Sequence, residues 1–323
     1  MLSKNVYNLE KLEQIPTRNG YGEGLVDAGA ADENVVVLCA DLTDSTRSNM
    51  FKERFLDRFI EMGIQEQNMM GVAAGLAMAG KVPFVSSYAV FSPGRNWDQL
   101  RVSVCYSDAN VKIAGAHTGV SVGPDGATHQ ALEDIAITRV LPGITVIVPC
   151  DYNETKKATI AAAKMKGPVY LRFTREKTPV FTTDDTPFEI GKALVLREGA
   201  DVTITAIGPL VHEALLAAHE LEKEKISVEV INSHTVKPLD EETLLKSFTK
   251  TGAVVTVEEH QIFAGFGGAI AEFASKNIPV PIEMIGMPDE FGISGEPGEL
   301  LAHFGMTKKE IKQAVKKVLK RKK

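Results

Sequence analysis

Residues 66–88, EQNMMGVAAGLAMAGKVPFVSSY, contain the pattern that decides the fold of this chain. Residues 66–79 have the length of a helix and carry no charge after Glu66, so this helix should be apolar all round and buried. The apolar run 82–87 follows and predicts a buried strand that ends at Tyr88. A buried helix that leads into a buried strand is typical of an α/β protein.

The same alternation of helix and strand extends along the chain. The other predicted strands are 34–40, 110–116, 144–149, 168–173, 201–208, 226–232 and 253–259. The other predicted helices are 95–107, 153–166, 211–224 and 264–275. Near-continuous apolar strands separated by helices predict parallel sheets that are covered on both faces.

The segment 174–191, TREKTPVFTTDDTPFEIG, interrupts this alternation. Its prolines, threonines and paired aspartates indicate an exposed linker. We therefore predict an α/β domain at residues 1–180, a linker at 181–190 and a smaller α/β domain at 191–323. The last domain should end in a solvated helix, because three apolar residues of its basic C-terminal segment recur at helical spacing. These residues are Ile311, Val315 and Leu319.

The bulk composition narrows the class of protein. The 323 residues have 44% hydrophobic content, 24% charged content and a net charge of −6, which suits a globular protein and argues against nucleic acid or an anionic membrane as a partner. No apolar run reaches the roughly eighteen residues of a transmembrane helix. Cys39, Cys105 and Cys150 are far apart in apolar surroundings, which indicates buried thiols in a reducing compartment. Without a signal-peptide pattern, we expect a cytoplasmic protein.

Polar side chains stand at the ends of several predicted strands. Asp41, Tyr88, His117 and Arg175 each lie at or just past such an end. Because the carboxyl ends of parallel strands meet at one edge of a sheet, we expect these four residues in one neighbourhood, where ligands bind in such folds.

The loop 115–134, GAHTGVSVGPDGATHQALED, is the most polar of these ends. It holds His117, Asp125 and His129 among glycines that let the backbone bend closely around a ligand. Imidazoles exchange hydrogen bonds and protons with hydroxyl and carbonyl oxygens near neutral pH. The alternative is a turn-rich surface loop with incidental histidines. The spacing of the two histidines, with no cysteine nearby, does not match a zinc site.

Arg18, Arg175 and Ser45 are candidate anion ligands. A guanidinium suits bidentate binding of phosphate, and a serine hydroxyl can donate to the same anion. Taken singly, each arginine is more often a surface or ion-paired residue, and Ser45 could equally cap a helix.

Glu66 opens the predicted buried helix as a lone carboxylate between two glutamines. It is either a helix cap, favoured by the positive end of the helix, or a buried carboxyl that exchanges a proton with a ring nitrogen. Tyr88 and Phe91 offer aromatic surface for such a ring, or they fill the core.

Six motifs together resemble the C-terminal half of transketolase. They are GIQEQNM (63–69), YAVFS (88–92), AHTGVSVGPDGATHQ (116–130), RFTRE (172–176), VEEHQIFAGFGGAI (257–270) and IGMPDEFGISGEP (285–297). The resemblance covers nearly the whole chain, and the histidine loop is its most specific part. It implies a pyrimidine-binding domain followed by a transketolase C-terminal domain. It also implies the transfer of a two-carbon ketol unit from a ketose phosphate to an aldose phosphate with thiamine diphosphate.

The resemblance also implies a role for each candidate residue. Glu66 would hydrogen-bond N1′ of the cofactor's aminopyrimidine, and Glu66 and His129 would be catalytic. Phe91 and Tyr88 would pack on the pyrimidine, with Asp41 near the cofactor. The implied substrate-binding residues are Arg18, Ser45, His117, Asp125, His129 and Arg175.

Three features depart from the family pattern. Gln65 and Gln67 flank Glu66 where transketolases usually have Arg and His. Thr118 replaces an aspartate, and Gly94 stands where a third aromatic residue is expected. These changes leave the carboxylate in place but can alter substrate preference.

The chain contains neither Gly-Asp-Gly nor a pair of adjacent asparagines, which mark the diphosphate and Mg²⁺ site of full-length transketolases. The resemblance therefore implies a split enzyme. A separate N-terminal subunit would supply the metal ligands, with none in this chain, in an α2β2 assembly.

Three other readings of the sequence remain open. A 1-deoxyxylulose-5-phosphate synthase shares the glutamate motif but resembles Asp-Arg rather than His-Thr at 117–118. A beta subunit of a 2-oxoacid dehydrogenase has a similar length, but we expect it to lack the DGATHQ arrangement. A catalytically silent binding or regulatory subunit could retain the fold without the chemistry.

Overall fold

The structure is a computed structural model that describes residues 2–322. In this part of the chain, three β-sheets are built from strands β1–β14. The strands are Gln14–Pro16, Val35–Cys39, Phe59–Glu61, Val82–Tyr88, Lys112–Ala116, Thr145–Ile147, Val169–Arg172, Lys177–Pro179, Leu194–Arg197, Val202–Ala206, Val228–Asn232, Thr235–Lys237, Val254–Gln261 and Ile282–Met287.

Helices α1–α9 lie between strands along the chain, and α10 and α11 follow the last strand. They are Thr17–Ala31, Asn49–Arg54, Glu66–Met78, Trp97–Gln99, Asp134–Arg139, Tyr152–Lys164, Leu210–Glu222, Glu241–Thr251, Phe266–Asn277, Pro297–His303 and Lys308–Leu319. Helix α4 continues as a π-helix through Leu100–Tyr106. Together with the sheets, these elements confirm the predicted α/β fold. No helix within residues 2–322 is both long enough and apolar enough to cross a membrane.

The first large sheet has seven strands in the order β12-β6-β7-β5-β4-β2-β3. All are parallel except β12, which runs antiparallel to β6. Helices α1 and α6 pack closely together on one side: a Cβ added at Gly20 of α1 would lie 2.2 Å from the carbonyl oxygen of Tyr152. The parallel order brings the carboxyl ends of β2, β4, β5 and β7 to one edge, as the sequence predicted.

The second large sheet has five strands in the order β14-β13-β10-β11-β9, with only β9 antiparallel. Helices α7 and α11 cover one face, whereas α8 and α9 pack on the other. Ile311 and Val315 are fully buried and Leu319 partly buried, which confirms the predicted C-terminal helix.

Strand β12 joins the two parts of the chain. It follows the second domain's strand β11 in sequence, yet it pairs with β6 of the first sheet through Thr235 and Lys237. A strand of three residues carries too little pattern to be predicted from sequence, and its pairing depends on packing between the domains.

The predicted exposed linker is largely tied down, so that prediction is wrong for its first residues. Phe181 and Thr182 are buried, and the carboxylate of Asp151 accepts hydrogen bonds from both backbone amides at 3.0 and 2.7 Å. Lys157 donates to three carbonyl groups further along the segment. The composition of the segment suggested exposure. It could not show that the side chains of Asp151 and Lys157 would form hydrogen bonds with the segment's backbone.

Helix α3 is buried on one face only, which corrects the prediction of a helix buried all round. Met70 and Ala73 are fully buried, but Gly71, Gly75 and Met78 are exposed. A Cβ added at either glycine would have no atom within 4 Å. The uncharged sequence therefore leaves a smooth apolar face open in the single chain.

The cysteines also differ from the prediction in one case. Cys39 and Cys150 are buried free thiols, whereas Cys105 is partly exposed and lines an apolar surface cavity with Tyr106.

Candidate active site

Four aromatic rings meet at the carboxyl ends of β4 and β5. The rings of Tyr88 and His117 stack with centroids 3.9 Å apart, and Phe91 lies 6.0 Å from Tyr88. His129 places its edge against both Tyr88 and Phe91, at 6.2 and 5.5 Å. The structure thus brings together four residues that the sequence had indicated as candidate site residues.

The histidine loop holds its shape through contacts with distant parts of the chain. Thr118 donates from its hydroxyl to the carbonyl of Phe173, and Ser121 donates its amide to Glu259 at 2.7 Å. A Cβ on Gly119 (φ +80°) would lie 2.2 Å from the same carboxylate. Glu259 belongs to the second domain, so that domain positions the loop.

His117 is a buried, neutral ring with one nitrogen left unpaired. Burial, followed by the nearby charges of Arg18 and Arg175, lowers the pKa of His117 to about 2. Its Nδ1 atom is buried and has no hydrogen-bond partner in the described chain. Because unpaired buried polar atoms are costly, this nitrogen is suited to a ligand.

Glu66 begins helix α3 and is 4% exposed. Its carboxylate accepts hydrogen bonds from Nη1 of Arg95 at 3.2 and 3.4 Å, and its backbone carbonyl accepts one from Asn96. The guanidinium of Arg95 also lies 4.2 Å from the centroid of the Phe91 ring. Arg95 thus connects the predicted carboxylate to the predicted aromatic face, a role that the sequence did not suggest.

Three arginines gather beside the rings. Arg18 donates to the carbonyl of Ser45 at 3.0 Å, and Arg47 donates from Nε to Asn19 at 2.9 Å. Burial lowers the pKa of Arg18, with further lowering from the positive charges of Arg47 and Arg175. Arg47 was not predicted; its place two residues after Ser45, in the same turn, was the available signal.

Arg175 forms ion pairs with Asp125 at 3.0 Å and with Glu176 at 3.3 Å. It also donates to the carbonyl of Val122. The two predicted substrate-binding residues, Arg175 and Asp125, therefore contact each other at the mouth of the site.

Asp41 is exposed just past the end of β2, with a positive φ of 58°. Its amide donates to Glu61 at 2.8 Å, and Glu61 also accepts from Thr43 and Gly63. Glu61, which the sequence reading missed, orders the turn that leads to Glu66.

The chain matches known proteins over almost its whole length. The family model "Transketolase, pyrimidine binding domain" matches residues 13–180, and "Transketolase, C-terminal domain" matches residues 191–311. A 6-deoxy-6-sulfo-D-fructose transketolase subunit from Clostridium sp. (strain MSTE9) is 43% identical over 312 residues, 97% of this chain and 97% of the relative.

Two further proteins that are similar to this chain are also described as transketolases. One of the subunits of an apulose-4-phosphate transketolase from Phocaeicola vulgatus is 38% identical over 298 residues, 92% of this chain and 95% of the relative. A solved structure described as a split gene transketolase in an inactive beta4 tetramer is 45% identical with a TM-score of 0.90, over 96% of this chain and 100% of that one. The chain therefore belongs to the transketolase family of thiamine-diphosphate enzymes, as a C-terminal subunit of the split-transketolase type.

Proposed function

We infer that this chain, with a separate N-terminal subunit, transfers a two-carbon ketol unit from a ketose phosphate to an aldose phosphate. The observation that carries this proposal is the position of Glu66 beside Phe91. A buried carboxyl and an aromatic face, bridged by one guanidinium, suit the ring nitrogen and the flat surface of an aminopyrimidine.

The surrounding residues also fit the cofactor and its substrate. The unpaired Nδ1 of His117 and the edge of His129 face the same ring cluster, where a sugar hydroxyl or carbonyl could bind. The guanidinium groups of Arg18 and Arg175 lie close enough to influence His117 and suit a phosphate at the far end of that sugar.

When bound, thiamine diphosphate supplies a nucleophilic carbon and takes up the electron pair released as a carbon–carbon bond of the ketose breaks. Glu66 would hold a proton at a ring nitrogen of the cofactor's aminopyrimidine. His117 remains neutral, so it can donate to or accept from a substrate oxygen, and His129 acts beside it. Tyr88 and Phe91 exclude water from one side of the site.

We assign the Mg²⁺ and diphosphate ligands to the N-terminal partner, in an α2β2 assembly. Within residues 2–322, no group of three or more His, Cys, Asp or Glu side chains could hold a metal ion. The uncovered face of α3, which begins at Glu66, offers the partner a surface of small residues next to the site. Two relatives that match more than nine-tenths of this chain, and of their own length, are named as subunits.

Ketol transfer is the first activity to measure. With thiamine diphosphate and Mg²⁺, we expect transfer from xylulose 5-phosphate to ribose 5-phosphate only when this chain is mixed with its N-terminal partner. Activity of this chain alone would refute the need for a partner. Because relatives are named for a sulfonated fructose and for apulose 4-phosphate, the donors tested should include both.

The Glu66→Gln variant tests the assigned proton at the cofactor ring. It keeps the shape of the side chain, so we expect partner binding to be unchanged and ketol transfer to fall at least about 100-fold. The exposed Glu53→Gln on helix α2 is the matched control and should retain activity. Retained activity in Glu66→Gln would overturn the proposed role.

A further inference from the structure

The anion-binding side of the site contains two guanidinium groups that lack a carboxylate partner. Within the described residues, Arg18 bonds the carbonyl of Ser45, and Arg47 bonds the amide oxygen of Asn19. Arg18 Nε is buried without any partner. Arg175, by contrast, is already ion-paired with two carboxylates. Two positive charges are therefore left for a ligand.

Arg47 is held in place at a conformational cost. Its φ is +66°, a left-handed conformation that costs a non-glycine residue about 1–2 kcal/mol. The turn is fixed by the buried hydroxyl of Thr46, which bonds the carbonyl of Leu42 and the hydroxyl of Ser48. Gly22 of α1 makes room for it, since a Cβ there would lie 2.8 Å from the Arg47 Cβ. Such strain persists where surrounding structure enforces it, commonly at functional sites.

Arg47 and Arg18 act on the same place. Their side chains make two crossed contacts: Arg18 donates to the carbonyl of Ser45, and Arg47 donates to the side chain of Asn19, the residue after Arg18. The positive charges of Arg18 and Arg47 both contribute to lowering the pKa of His117, and the unpaired Nδ1 of His117 marks a ligand position. Bringing two unpaired cations together is unfavourable unless an anion joins them.

We propose that Arg47 is a specificity-determining residue that, with Arg18, makes this site prefer a dianionic phosphate terminus of the sugar to a monoanionic one. Two guanidinium groups balance the two charges of a phosphate monoester near neutral pH. They would leave one charge unbalanced against a sulfonate of the same tetrahedral shape. The inference rests on the proposed function for the identity of the ligand as a sugar, but it concerns binding and not the reaction.

The test is calorimetric titration of the full chain at pH 7.5 with ribose 5-phosphate and with the matched 5-sulfonate of 5-deoxyribose. We expect the wild type to bind the phosphate more tightly. Arg47→Met should weaken binding of the phosphate by about 10- to 100-fold, as loss of a charge-assisted hydrogen bond implies, and binding of the sulfonate by less than about threefold.

Lys52→Met is the matched control, because it removes one exposed positive charge from the neighbouring helix α2. It should change neither affinity by more than about twofold, given screening of surface charges. Equal affinity of the wild type for both ligands, or equal losses for both in Arg47→Met, would overturn the inference. If the assembled enzyme transfers ketol units but shows no preference for phosphate, the inference about Arg47 is wrong and the proposed function stands. Phosphate preference in a complex without ketol transfer would remove only the proposed function.

Discussion

The guanidinium of Arg95 donates a hydrogen bond to Glu66 at 3.2 Å while it lies 4.2 Å from the centre of the Phe91 ring. These are the two contacts that an aminopyrimidine would need in the same place. In the chain by itself, Arg95 thus balances the charge of a buried carboxylate and covers the aromatic face. A cofactor that uses both groups must displace it.

We therefore expect Arg95→Met to tighten the binding of thiamine diphosphate. The Arg95 side chain is 53% exposed, so its ion pair is worth at most about 1 kcal/mol, and its removal should lower the Kd by about three- to fivefold. Calorimetric titration of the cofactor into the assembled complex measures this. Arg101 is an exposed arginine in the π-helix Leu100–Tyr106, and the control variant Arg101→Met should leave the Kd unchanged. Weaker binding in Arg95→Met would mean that Arg95 helps to hold the cofactor.

The exposed face of α3 leads to a second prediction. Gly75 is exposed with no atom near its Cβ position, so Gly75→Ala should stabilise the isolated chain by about 1 kcal/mol through helix propensity. If the partner packs on this face, the added methyl group should weaken assembly by about tenfold. Thermal unfolding and sedimentation of the mixed subunits measure the two effects.

Gly20→Ala provides the contrast, because its Cβ would lie 2.2 Å from the carbonyl of Tyr152. That variant should lose stability in the isolated chain. Unchanged assembly of Gly75→Ala would show that α3 stays uncovered in the complex.

Local sequence patterns predicted the strands, because strand formation depends largely on residues that are neighbours along the chain. The apolar runs placed β2, β4 and β5 within one or two residues of their observed bounds, and the parallel order then placed Tyr88 beside His117. The predicted strand 144–149 is shorter in the structure: β6 ends at Ile147, and the amide of the next residue, Val148, donates to the carbonyl of His234 in the second domain.

The missed site residues have in common that distant packing determines their function. Glu259 accepts a hydrogen bond from the backbone amide of Ser121, which lies 138 positions away in the sequence. Arg95 was predicted only as part of a helix, and no periodicity shows that its side chain returns to Glu66. Arg47 lies in a turn, and its position is fixed by a hydrogen bond to Asn19 of helix α1. The roles of cofactor and substrate residues remain predictions.

Glu154 should make stability depend on pH. It is fully buried between the domains, where it accepts hydrogen bonds from the amide of Cys150 at 2.6 Å and from Asn232 at 2.7 Å. Burial raises the pKa of Glu154 to about 7, whereas an unfolded glutamate titrates near 4.3. Between these two pKa values, Glu154 is therefore mostly protonated in the folded state and mostly ionised in the unfolded state. The stability from this group is complete at low pH and is lost as pH rises to about 7.

Glu154→Gln cannot titrate. Its unfolding free energy relative to wild type should rise by about 1.4 kcal/mol per pH unit between pH 5 and 6.5, then level off above pH 7. Urea unfolding at four pH values gives this difference. A flat profile for Glu154→Gln would mean that Glu154 stays charged throughout.

Glu259 connects the second domain to the histidine loop, and we expect this contact to matter for the reaction. Its buried carboxylate accepts the amide of Ser121 at 2.7 Å. Removing it in Glu259→Ala frees the segment between His117 and His129. We expect kcat/KM for ketol transfer to fall about tenfold or more in the assembled enzyme, since small displacements of positioning groups are costly. Glu259→Gln retains an acceptor oxygen and should recover most of the activity.

A purely structural role for Glu259 would lower the melting temperature without this recovery pattern. The measurement therefore pairs kinetics with thermal unfolding for both variants and for Glu272→Ala, an exposed glutamate ion-paired with Arg139. If Glu259→Ala unfolds earlier but keeps its kcat/KM below the transition, the loop holds its shape without the second domain. If kcat/KM falls at temperatures where the chain remains folded, the carboxylate positions the histidines, and the second domain is part of the catalytic apparatus.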